Sequence, residues 1–137
     1  MRRPVYAGTP PHKVLERCNS SGDVVSGRAV ILVATNLAAT LVDELQQFDE
    51  ARAFLRDRIP EATRALGKNH DITFKMQRMY AQCLYENADV SRGDLTEAVA
   101  TLEDLDRRQT RIYGSAHPQT RTTRRCLAKA REKLARA

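Results

Sequence analysis

The chain has 137 residues and no tryptophan, with 42% hydrophobic and 29% charged residues, which fits one folded domain rather than a disordered chain. No run reaches the roughly 18 apolar residues of a membrane-spanning helix, and Arg2 and Arg3 are not followed by the apolar core of a signal peptide. We therefore expect a cytoplasmic protein, with an organelle-targeting segment in the first thirteen residues as the alternative. The richness in Ala, Leu and Arg predicts an all-helical chain.

Charge is distributed unevenly along the chain. The net charge is +6, yet residues 107–137 carry ten basic side chains against one acidic residue, Glu132. The residues before 107 sum to −3. The C-terminal part is therefore basic and suited to acidic partners.

The first 26 residues are weakly specified. They contain three prolines and a polar Asn-Ser-Ser-Gly-Asp run, which predict loops around at most one short helix over residues 12–18. The cysteines, Cys18, Cys83 and Cys126, lie far apart and form no C-x-x-C pair, so we interpret them as buried free thiols rather than metal ligands or disulfides. We predict no metal site and no cofactor.

Apolar residues at helical spacing predict five helices. The predicted bounds are 27–45, 48–66, 71–86, 95–113 and 118–137. The first helix is expected to bury a wide face, formed by Val30, Val33, Leu37, Leu41 and Leu45. Pro60 lies inside the second helix, where it removes one backbone hydrogen bond and predicts a kink near residues 56–60. On the third helix, Met76 and Met79 are predicted to be core residues.

An eight-residue stretch occurs twice, as LGKNHDIT at residues 66–73 and YGSAHPQT at residues 113–120. The shared residues repeat at an offset of 47, and matches continue on both sides, which is typical of a repeat architecture. The pairs are Gly67 and Gly114, His70 and His117, and Thr73 and Thr120.

Each part of this repeated link has a predicted structural role. The glycines are expected to end helices in the αL conformation, and the threonines to make local contacts at the next helix start. We interpret the histidines as residues that brace the turn rather than as catalytic or metal-binding groups. Asp71 and Asp94 are predicted to cap the helices that follow, and Pro118 to begin the last helix.

Three groups of residues together resemble the tetratricopeptide repeat in its kinesin light chain variant. They are Thr35 to Ala38 with Leu41, Phe48 to Ala51 with Leu55, and Leu66 and Gly67 with His70 and Thr73. The resemblance covers residues 27–137, as repeats of about 27–70 and 71–117 and a terminal helix at 118–137. It departs from the family in the first unit, whose inner turn lacks glycine and has one extra residue.

The resemblance implies a right-handed superhelix of antiparallel helix pairs, about two and a half repeats long. It also implies a non-enzymatic module or scaffold that binds a partner protein or peptide on its concave face. With Ala38, Ala81 and Ala128 as close-packed positions, that face becomes a partly basic groove suited to an acidic partner. The predicted groove residues are Thr35, Asn36, Lys75, Arg78, Gln82, Tyr85, Arg125, Lys129 and Glu132.

Other functions are weighed beside this one. A basic patch on the last helix, formed by Arg121, Arg124, Arg125 and Lys129, offers nucleic-acid or other polyanion binding as the alternative. The absence of interleaved aromatic residues makes nucleic acid the weaker choice. Self-association through an exposed end helix is a further possibility. No H-E-x-x-H, P-loop or G-x-S-x-G motif occurs, so no catalytic residue is predicted.

Overall fold

Five α-helices make up most of the described chain. A computed structural model describes residues 24–137, with side chains from residue 28 onward, so the short helix predicted over residues 12–18 lies outside the described residues. The helices are α1 (Val24–Ala39), α2 (Phe48–Leu66), α3 (Asp71–Glu86), α4 (Arg92–Tyr113) and α5 (Pro118–Arg136). The all-helical prediction is confirmed for this part of the chain. Within it, no helix combines the length and the apolarity needed to cross a membrane.

The first helix differs most from its predicted bounds. α1 stops at Ala39 and continues as a π-helical turn, Thr40–Glu44, after which Gln46 adopts a positive φ of 51°. A π turn holds more residues than an α turn, so it takes up the extra residue of the first unit. Gln46 then supplies the backbone conformation that glycine usually provides.

Both copies of the repeated link have the same local structure. His70 and His117 are the N-caps of α3 and α5, and the Nδ1 atom of each accepts a hydrogen bond from the backbone N–H two residues later. Both distances are 3.1 Å. The prediction that the histidines brace the turn is confirmed, and the prediction that Asp71 caps α3 is wrong, because Asp71 is the first helical residue.

The other predicted cap is also shifted. Ser91, not Asp94, is the N-cap of α4, and its hydroxyl accepts a hydrogen bond from the Asp94 backbone N–H. The Asp94 carboxylate in turn accepts from the Ser91 backbone N–H, which completes a capping box. The polar loop before α4 is therefore shorter than predicted.

The glycines end their helices with positive φ, but not in the αL conformation. Gly67 has φ 95° and ψ 154°, and Gly114 has φ 89° and ψ 161°. Thr73 and Thr120 are fully buried, and their Oγ1 atoms have no hydrogen-bond partner in the described part of the chain. The predicted helix-start contacts of these hydroxyls are therefore absent there, and both threonines are packed core residues.

The central helix, α3, divides the interior into two hydrophobic cores. It packs against all four other helices. In particular, α1 contacts α3, and α3 contacts α5. Towards α1 and α2 it contributes Met76, Met79 and Cys83. Towards α4 and α5 it contributes Phe74, Ala81, Leu84 and Tyr85. The prediction that both methionines are core residues is confirmed.

The two outer helices, α1 and α5, present different outer faces. Val33 on α1 and Leu45, which follows the π-helical turn, are 54% and 51% exposed, so this segment buries a narrower face than predicted. The second core is the one that α3 shares with α4 and α5. Each of the α3 residues in it has a counterpart on α5, 47 residues later. All of these counterparts are exposed; they are Arg121, Ala128, Arg131 and Glu132. Ala128 is therefore not close-packed as predicted, because no described helix covers that side of α5. The outer face of α5 is therefore mainly polar.

A candidate binding cleft between α3 and α5

An open cleft lies between α3 and the start of α5. It has a volume of about 240 Å³ and is lined by Lys75, Arg78, Pro118, Gln119 and Thr122. The repeat explains why these residues meet. Thr122 follows Lys75 by 47 residues, so the two occupy the same position on neighbouring, similarly oriented helices.

The charge in this cleft is positive. Lys75 and Arg78 are half-buried, and neither makes a hydrogen bond or ion pair with another residue that the structure describes. The N-terminus of α5 adds the partial positive charge of the helix dipole. Unlike α2, α3 and α4, α5 has no acidic residue in its first turn. None of the lining residues is acidic, so the charge is not neutralised within the cleft.

The α5 wall of the cleft is held in place by buried hydrogen bonds. Gln109 of α4 is 1% exposed, and its Nε2 donates to Oε1 of Gln119 at 3.4 Å. Its Oε1 accepts from the Thr123 hydroxyl at 2.6 Å. His117, the α5 cap, stacks on the ring of Tyr113 with 4.3 Å between ring centroids. These contacts fix the first turn of α5 relative to α4.

Several predicted groove residues lie at the cleft or continue it. Two of them, Lys75 and Arg78, line it. Arg125 and Lys129 are exposed one and two turns beyond Thr122 on α5. Gln82 continues the α3 side and donates from Nε2 to Glu86 at 3.4 Å. Together they extend a mainly basic strip along both helices.

Four other predicted groove residues do not line the cleft. Thr35 is 2% exposed, and its hydroxyl donates to the carbonyl oxygen of Ile31 at 2.8 Å. Tyr85 is 1% exposed and belongs to the second core. Glu132, seven residues after Arg125 on the exposed side of α5, does not line the cleft, and it accepts from Arg136 at 3.0 Å. Asn36 is exposed at the α1 position that corresponds to Met79, which places it on the outer side of α1.

Sequence reasoning missed three lining residues, Pro118, Gln119 and Thr122. One signal was present, since Thr122 shares the repeat position of Lys75. The other two come from the first turn of α5, and their part in the cleft depends on how that turn packs against α3. No periodic pattern in the sequence encodes that contact.

The basic patch predicted on α5 is partly neutralised. Arg124 donates from Nε to Asp106 of α4 at 2.7 Å and from Nη2 to Thr110 at 3.0 Å. Arg131 pairs with Glu103 at 2.8 Å. The other three members of the predicted patch, Arg121, Arg125 and Lys129, are exposed and make no ion pair with another described residue. Three carboxylates of α4, those of Glu103, Asp104 and Asp106, therefore offset part of the charge counted over residues 107–137.

The described cysteines are core residues. Cys83 and Cys126 are both buried free thiols, as predicted, whereas Cys18 lies outside the described residues. Burial raises the pKa of the Cys83 thiol to about 12. That thiol therefore stays protonated at neutral pH and is not a nucleophile.

Comparison with protein-family models, with curated proteins and with solved structures finds no match. The function of the cleft is therefore inferred from its own geometry and charge.

Proposed function

We propose that the chain is a non-enzymatic interaction module of the tetratricopeptide type, in its kinesin light chain-like form, that binds an acidic peptide or protein segment. The binding site is the cleft between α3 and α5. One observation carries this proposal: Lys75 and Arg78 converge with the N-terminus of α5 in an open cleft that contains no carboxylate.

The chemistry of the cleft suits a carboxylate. The planar guanidinium of Arg78 can bind both oxygens of a carboxylate, whereas the ammonium of Lys75 acts as a compact charge. The N-terminus of α5 favours an anion through the helix dipole. A peptide that extends beyond this point meets Arg125 and Lys129 on α5.

The arrangement of the helices supports the repeat-type proposal. α1 contacts α3, and α3 contacts α5. In the chain, α2 connects α1 to α3, and α4 connects α3 to α5. In helical repeat proteins, one helix from each unit lines an extended binding surface. The strip that runs from Lys75 to Lys129 would be part of that surface.

A protein partner is favoured over a polyanion such as nucleic acid. On α5, Arg124 and Arg131 form ion pairs with carboxylates of α4. Each such pair removes a cation that phosphate neutralisation would need. Lys75 and Arg78, in contrast, make no ion pair with another described residue and lie together in the cleft, where separate acidic side chains fit.

Peptide selection tests the proposal without a known partner. We expect the wild-type chain to select Asp- and Glu-containing peptides from a random display library. The variant Lys75→Glu/Arg78→Glu should bind them at least about tenfold more weakly, since a charge-assisted hydrogen bond contributes about 1.5–3 kcal/mol. The control is Arg56→Glu/Arg64→Glu, which makes the same charge change at exposed positions on α2 and should bind normally. Circular dichroism confirms that both variants are folded.

Two results would count against this function. The first is a pool of selected peptides that is not enriched in Asp and Glu, or a control variant that loses as much affinity for the peptides as Lys75→Glu/Arg78→Glu does. The second is tight binding of a random-sequence oligonucleotide that Arg121→Glu/Arg125→Glu/Lys129→Glu abolishes and Lys75→Glu/Arg78→Glu leaves intact. That second result would assign the chain to polyanion binding.

A further inference from the structure

The outer side of α1 is an exposed apolar surface. Leu32 and Val33 are 52% and 54% exposed, and Ala29 and Asn36 beside them are also exposed. We call these four residues the end face. Its importance follows from comparison with α3.

Buried residues on α1 and α3 correspond at an offset of 43. Val30, Ile31, Ala38, Leu41 and Val42 are buried, as are the residues 43 positions later, Thr73, Phe74, Ala81, Leu84 and Tyr85. In this correspondence Val33 matches Met76 and Asn36 matches Met79. Both methionines are buried against α1 and α2. Val33 and Asn36 thus lie on the side of α1 that corresponds to the covered side of α3, and no described helix covers them; Leu32, which matches Lys75, lies at the edge of this side.

Charges of opposite sign flank the end face. Arg28 lies eight residues before Asn36, and Glu44 lies eight residues after it, next to Asp43. All three charged residues are exposed, and none makes an ion pair with another residue that the structure describes. This pattern is self-complementary when the helix runs antiparallel to a second copy of itself. With the two helices crossing at Asn36, Arg28 of each copy lies opposite Glu44 of the other.

We propose that the end face binds the end face of a second copy, with the two α1 helices antiparallel. Such a contact is isologous, because the same patch is used on both sides and a two-fold axis relates them. Leu32 and Val33 would pack against the opposite helix, which removes their exposed apolar surface from water. The Asn36 side chains would meet near the axis, where an amide can both donate to and accept from its symmetry mate. The contact does not involve the cleft.

A head-to-tail contact with α5 fits the charges less well. The outer face of α5 contains Arg121, Arg131 and Glu132 around Ala128. Packing the apolar end face there would bury Arg121, which makes no ion pair with another described residue, and would desolvate the exposed Arg131–Glu103 and Glu132–Arg136 pairs, which is costly. A head-to-tail contact also leaves both ends of the assembly open and leads to filaments. Self-pairing matches apolar surface with apolar surface and closes the assembly.

Sedimentation equilibrium of the full chain over a range of concentrations tests the proposal. We expect a reversible dimer of the 15.4 kDa chain with a dissociation constant on the order of micromolar, since the contact is small. Leu32→Glu/Val33→Glu should be monomeric over the same range. The control is Ile112→Glu, which places one carboxylate at an apolar residue of α4 that is 46% exposed, and it should remain dimeric.

A charge exchange tests the antiparallel geometry. Arg28→Glu and Glu44→Arg should each weaken the dimer at least several-fold, and the double variant should restore it. Within one copy these residues are roughly 20 Å apart, because 16 residues separate them at about 1.5 Å each in α1 and less in the π-helical turn. Restoration therefore reports a contact between copies. A monomeric wild-type chain, a dimer that survives Leu32→Glu/Val33→Glu, or a double variant that stays weak would each overturn the proposal.

Discussion

Tyr113, the last residue of α4, donates its hydroxyl to the carboxylate of Asp71, the first residue of α3. Its ring also stacks on His117 and meets Phe74 edge-on at 6.0 Å. Asp71 belongs to the first copy of the repeated link and His117 to the second. One side chain therefore joins the two links and sets the spacing of α3 and α5, which form the walls of the cleft.

Tyr113→Phe should lower the free energy of unfolding by about 1 kcal/mol, measured by urea denaturation, because it removes one hydrogen bond and keeps the ring contacts. It should also change the pH dependence of stability. Burial first, and then the hydrogen bond to Asp71, raise the pKa of Tyr113 to about 12, against about 10 in the unfolded chain.

The sign of this effect follows from linkage. The contribution of Tyr113 is fully present below pH 10 and is lost as the pH rises towards 12. The wild-type chain should therefore lose stability more steeply than Tyr113→Phe between pH 10 and 12. Other groups titrate in both proteins, so the difference between the two curves isolates Tyr113. Parallel curves would contradict this assignment.

The cap at His70 can be separated from other roles of the ring. His70→Ala should destabilise the chain by about 1 kcal/mol, because the Ile72 backbone N–H loses its acceptor. His70→Asn should recover most of this loss, since asparagine is a good N-cap residue. Chemical denaturation of the three proteins measures the difference. If His70→Asn were as unstable as His70→Ala, the cap would not be the main contribution of this side chain.

Two glycines provide a matched pair for testing backbone strain. Gly67→Ala should cost about 1–3 kcal/mol, because φ 95° with ψ 154° is a conformation that residues with a Cβ rarely adopt. A Cβ at Gly67 meets nothing within 4 Å, so steric clashes do not contribute. Gly93→Ala, in the first turn of α4, should be neutral or stabilising by up to about 1 kcal/mol. Its Cβ would lie 3.7 Å from Ser91 Oγ, an ordinary contact. Equal thermal stability of the two variants would refute the role of φ.

The sequence predicted those features whose signals are local. The repeated link fixed the ends of α2, α3 and α5, because Gly67, His70, His117 and Pro118 act on their own neighbours. The stripe that contains Met76 predicted a buried helix face. The π-helical turn was not predicted, since an extra residue in a helix leaves no distinct local pattern.

Features that depend on packing between helices were predicted less well. Ala81 and Ala128 share one repeat position, yet Ala81 is buried in the second core and Ala128 is exposed, because burial depends on the next helix. Counting charge along the chain overestimated the basic patch, since Arg124 finds Asp106 on another helix. Arg78 was among the predicted groove residues, whereas the contribution of α5 to the cleft can be seen only from the packing of the helices.

Mapping of a bound peptide by ¹H–¹⁵N NMR tests the proposed cleft most directly. An acidic peptide obtained by selection is titrated into the labelled chain, and backbone amide shifts are followed. We expect the largest shifts at Lys75, Arg78, Gln119 and Thr122, with the α1 end face unchanged. Largest shifts on the outer face of α5 around Arg131, or on α1, would contradict binding in the cleft.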